Sequence, residues 1–96
     1  MPLDVIQEKN LTEIMDYALE YPSMVLAAAK SNNVGGSLID FSYGLYIGYI
    51  SGVFFDKFLV QNKRFLNDDE IGDFHTKLAS RNSEIMLKIK AHLKLK

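Results

Sequence analysis

The residues of this chain best suited to chemistry are His75, His92 and the acidic run Asp68-Asp69-Glu70, followed by Asp73. Histidine titrates near neutrality and binds metals, while clustered carboxylates hold hard cations or move protons. Their spacing argues against each role. His75 and His92 stand seventeen residues apart, about 25 Å along one straight helix, too far to share a metal. The acidic run lacks the spacing and mid-loop glycine of a calcium loop, and a helix N-terminus accounts for all three acids. Asp40 and Asp56 are sixteen residues apart, about 24 Å along a helix and beyond the reach of a carboxylate pair. There is no cysteine, which excludes disulfides, thiol catalysis and cysteine-ligated zinc. No nucleophile elbow, phosphate-binding loop or dinucleotide fingerprint occurs. The sequence therefore leads to the expectation of a protein that is not an enzyme, with no cofactor and no metal.

What stands out instead is Gly44, Gly48 and Gly52, four residues apart within an apolar stretch. On a helix they form a ridge without side chains. A helical glycine costs about 1 kcal/mol relative to alanine, so three cost on the order of 3 kcal/mol. Close approach of another backbone would offset that cost. Tyr43, Tyr46, Tyr49 and Phe55 accompany the ridge, and tyrosine is enriched at interfaces. Those seven residues form the candidate interface.

Charge supplies the second candidate. Residues 1–60 carry three lysines against seven acids, a net −4, and residues 61–96 carry eight Lys/Arg against five acids, a net +3. Lys88, Lys90, Lys94 and Lys96 concentrate the surplus at the end of the chain. They are a solubilising tail or an electrostatic footprint for nucleic acid or an acidic partner.

The elements that must position these groups are mostly helical. Asn10 and Glu13 fit a capping box, and Leu11, Ile14, Met15, Ala18 and Leu19 repeat as one buried helical face, with residues 3–9 as an earlier turn of it or a separate short helix. Tyr21-Pro22 ends that helix, and a short one follows over Met24 to Lys30. Residues 37–63 form a central helix that is apolar nearly all round, with Tyr43, Ile47, Ile50, Phe54 and Phe58 sharing one face. Asn67 and Glu70 fit a second capping box. One long helix then carries Ile71, Phe74, Leu78, Ile85, Ile89 and Leu93, with a break near Ser80–Ser83 as the alternative. An α+β arrangement is the competing fold, because residues 87–96 alternate and Phe41 to Phe55 is rich in strand formers.

The uncharged stretch Phe41–Phe55 is fifteen residues long and is bracketed by Asp40 and Asp56. A membrane span needs about twenty, so none is expected. Met1-Pro2-Leu3-Asp4 lacks a basic region followed by an apolar run, so no secretory leader is expected and a cytoplasmic location fits. The sequence reads as one all-α domain over residues 1–96, a bundle of about four helices. It is expected to act in protein–protein association, as a homodimer or with another protein. A small nucleic-acid-binding or regulatory protein is the alternative.

Overall fold

The computed structural model describes residues 2–32 and 36–93. Its helices are α1 (Val5–Glu20), α2 (Pro22–Val25), α3 (Ala29–Asn32), α4 (Leu38–Asn62), α5 (Asp68–Ala79) and α6 (Asn82–Leu93). No strand occurs among the described residues, so the fold is all-α and the α+β alternative falls. Helix persists to Leu93 through the alternating segment, and residues 94–96 lie outside the described residues.

Local chemistry explains the boundaries, including three that differ from the sequence reading. α1 takes in the earlier turn rather than starting at Asn10, because Asp4 and Gln7 form the capping box: Gln7 N–H donates to Asp4 Oδ1 at 2.8 Å and Asp4 N–H to Gln7 Oε1 at 2.9 Å. Asn10 is inside the helix, and its amide donates to Gln61 Oε1 on α4 at 3.0 Å. The stretch after Pro22 forms two single turns rather than one short helix. The long C-terminal helix is divided at Ser80–Arg81, as the alternative reading had it. There Ser80 Oγ donates to the Lys77 carbonyl at 2.6 Å. Arg81 Nη1 reaches Asp16 of α1 at 2.6 Å, while its Nε and Nη2 clamp Glu84 at 3.0 and 2.9 Å. The expected capping box of Asn67 and Glu70 is present.

α4 is the axis of the bundle. Its buried row is Ser42, Tyr46, Ile50, Phe54 and Phe58. α1 packs on it with Leu11, Ile14, Met15, Ala18 and Leu19 buried, and α6 with Ile85, Ile89 and Leu93 buried. At its N-terminal half Tyr43 donates its hydroxyl to Asn82 Oδ1 at 2.6 Å, fixing the start of α6. At its C-terminal end Gln7 Nε2 donates to Asn62 Oδ1 at 3.3 Å, fixing the start of α1. The face differs from the expected one, since Tyr46 takes the core position and Tyr43 and Ile47 are half-buried at its edge.

Ser42 Oγ and Tyr46 Oη are buried and find no hydrogen-bond partner among the described residues. Burial pushes the Tyr46 phenol up to about 12, so it stays neutral. A buried polar group without a partner costs about 1–3 kcal/mol. Tyr46→Phe is therefore expected to hold stability or raise it by about 1 kcal/mol, read as the denaturation midpoint. A clear loss of stability would show that the hydroxyl is satisfied.

Acid should destabilise the fold at named groups. Arg64 hydrogen bonds hold the Glu70 carboxyl below the usual range, with help from the Asn67 N–H. Lys77 does the same for Asp73, helped by Leu3 N–H, and Arg81 for Glu84. Carboxyls lowered in the folded state stabilise it above their unfolded values, near pH 4, and lose that contribution as pH falls through the lowered values. Thermal midpoints are expected to fall below about pH 4, with a shallower fall in Glu70→Gln. Equal slopes in the two proteins would remove Glu70 from the explanation.

Candidate interaction surface on helix α4

Helical geometry decides where the glycine ridge points. Each residue turns the helix by about 100°, so a residue two away from a buried one faces about 200° round, nearly the opposite side. Gly44 is two from both Ser42 and Tyr46, Gly48 from Tyr46 and Ile50, and Gly52 from Ile50 and Phe54. All three glycines are exposed. A Cβ placed on any of them would meet no heavy atom of the described residues within 4 Å beyond its own helical backbone and chain neighbours. Among the described residues the ridge meets no close packing, so no neighbour there offsets its cost.

The surroundings of the ridge are apolar. Val53, Leu59 and Val60 are exposed, and Phe41, Leu45, Tyr49 and Phe55 are half-buried along the same helix. Phe55 also lines a recess of about 300 Å³ with Phe65, Leu66 and Ile71. Phe65 is 75% exposed at its rim. Arg64 fixes the turn that carries Phe65 and Leu66. Its Nη1 and Nη2 donate to Glu70 Oε1 and Oε2 at 2.7 and 3.0 Å, and Nη1 also donates to the Phe65 carbonyl at 3.0 Å. Glu70 is 2% exposed, and its partner's guanidinium lies over the Phe58 ring.

The expected interface residues divide. Gly44, Gly48 and Gly52 share the outward side, with Tyr49 and Phe55 partly accessible beside them. Tyr43 is half-buried and bonded to Asn82. Tyr46 is fully buried and leaves the set, because the four-residue row that carries the core runs through it. The recess and the Arg64–Glu70 pair went unread in the sequence. The only signal was an arginine six residues before the N3 glutamate of a capping box.

The other candidates are dispersed. Lys88 and Lys90 are exposed on either flank of the buried Ile89, so they do not form one patch, and Lys94 and Lys96 lie outside the described residues. His75 and His92 are exposed on different helices. The His75 ring meets the Phe74 edge at 5.2 Å. Asp40 and Asp56 are exposed on α4. Among the described residues, no three His, Asp or Glu side chains gather as a metal site would require. By length and composition α4, at 25 residues, could cross a membrane; the helix exceeds the uncharged stretch on which the sequence expectation rested.

No protein-family model, curated protein or solved structure matches this chain.

Open space at all three glycines has a direct consequence for the isolated chain. Gly→Ala at 44, 48 or 52 is expected to raise monomer stability by up to about 1 kcal/mol each. Chemical denaturation at low protein concentration checks this, and a loss at any position would mean that the added methyl meets something.

Proposed function

We propose that this chain is a non-enzymatic association module that pairs with a second copy of itself through the outward side of α4. The observation that carries the reading is the open space beside Gly44, Gly48 and Gly52. Three exposed helical glycines cost about 3 kcal/mol, and no close packing among the described residues compensates them. Without side chains, the ridge lets a facing helix approach backbone to backbone. Tyr49, Val53, Phe55 and Leu59 then supply apolar contact on its flanks. Asp40 and Asp56, both exposed, border this strip and would remain wet at its rim.

The test is solution mass, by light scattering after size exclusion, across a wide concentration range for wild type and Gly48→Leu. Wild type is expected to associate, and Gly48→Leu to be monomeric with unchanged helicity, because a side chain at 48 enters open space in the single chain. Wild-type mass in the variant, or a wild-type monomer throughout, would overturn the reading. Recovery of the wild-type chain in membranes would also overturn it, since lipid would then cover α4.

A further inference from the structure

The inter-helix packing is uneven. α4 lies close to α1 and α6 backbone to backbone, whereas α5 stands off from its neighbours on large side chains. Its main anchor is Phe74, fully buried, whose ring stacks on Phe54 at 5.3 Å with an 11° interplanar angle and tilts against Phe55 at 5.0 Å. Leu78 is the other buried apolar residue of α5.

The remaining attachments are polar and peripheral. Leu3 N–H donates to Asp73 Oδ2 at 3.1 Å. Lys77 Nζ bridges Asp73 at 2.7 Å and Glu8 of α1 at 3.2 Å. Glu70 holds Arg64 in the preceding turn. On the Ile71 side of the helix lies the recess lined by Phe55, Phe65 and Leu66.

Helical structure is interrupted on both sides of α5. Lys63, which closes α4, has φ 57°, the left-handed region that a non-glycine residue adopts at a cost. Ser80 and Arg81 interrupt the helix on the other side. Beyond that break α6 is held independently, by Arg81 to Asp16 and by Asn82 to Tyr43. Leu11, Ile14, Met15, Tyr46, Ile50, Ile85 and Ile89 of α1, α4 and α6 make up much of the core, to which α5 adds Phe74 and Leu78.

We propose that α5 is a detachable cover that opens as a unit from the aromatic side of α4, exposing Phe54, Phe55 and Phe58 while α1, α4 and α6 stay folded. Cooperative local opening of this kind belongs to elements with few buried contacts and a completed core beneath them. This inference concerns opening within a single chain and does not depend on self-association; the two surfaces share Phe55.

Native-state hydrogen exchange of the full chain, followed residue by residue, tests it. Interior amides of α5 are expected to exchange at least about tenfold faster than those of α1, α4 and α6, and together rather than individually. Glu70→Gln is expected to speed α5 exchange further, leave the other three helices unchanged and raise fluorescence of the dye 1-anilinonaphthalene-8-sulfonate. Exchange of α5 at the rate of the core helices would overturn the proposal. So would a Glu70→Gln effect spread equally over all four helices, since opening would then be global.

Discussion

A buried row that repeats every four residues in a helix does not run straight. Each repeat turns about 400°, so the row drifts about 40° per step. From Ser42 to Phe58 it makes four steps and swings by roughly 160°. This constraint organises the molecule. One straight helix can then meet α6 near its start, through Tyr43 and Asn82, and α1 and α5 near its end, through Asn62, Gln7, Phe54 and Phe74. A three- and four-residue alternation would have kept the row on one side and allowed fewer neighbours. The same drift keeps the glycines opposite the core at every level, because they repeat with the same spacing two residues out of phase.

That phase relation was present in the sequence but not legible on its own terms. The four-residue spacing of the glycines and the all-round apolarity of residues 37–63 were plain. Which face was buried was not, because the row includes Ser42 and a tyrosine whose hydroxyl finds no partner among the described residues. A pattern argument reads serine as exposed and ranks Tyr43 and Ile47 above it, displacing the core by one position. α1 shows the contrasting case. Its buried face was read correctly, since every buried apolar residue there follows helical spacing. Its start was ambiguous in the sequence, because Asn10–Glu13 and Asp4–Gln7 both fit the capping pattern, and the structure places it at the earlier pair. Asn10 is drawn to Gln61, fifty-one residues away.

The break between α5 and α6 has a similar origin. The apolar seam from Ile71 to Leu93 passes through it, so periodicity favoured one helix. Arg81 supplies the opposing force. It satisfies Asp16 on α1 and Glu84 on α6 at once, which fixes the start of α6 against α1. Long-range ion pairs of this kind leave no periodic trace. Neither does the recess beside Phe55, which exists only because a turn held by Arg64 and Glu70 brings Phe65 and Leu66 against α4 and α5.

In the proposed association the exposed glycines would connect stability with concentration. In a single chain they lower the stability of α4 by about 3 kcal/mol, a large fraction of what a small domain possesses. A contact that forms only in the folded state returns stability by mass action, about 2.7 kcal/mol when the free partner stands a hundredfold above its dissociation constant. Alanine at the same three positions would stabilise the lone helix at every concentration but would hold a facing backbone one methyl further off. Glycine reverses that preference: the fold is weaker alone and a facing helix can come closer. A sequence shaped only for monomer stability would carry alanine where the helix meets no described neighbour, and this one carries glycine three times in succession at the core-opposed position.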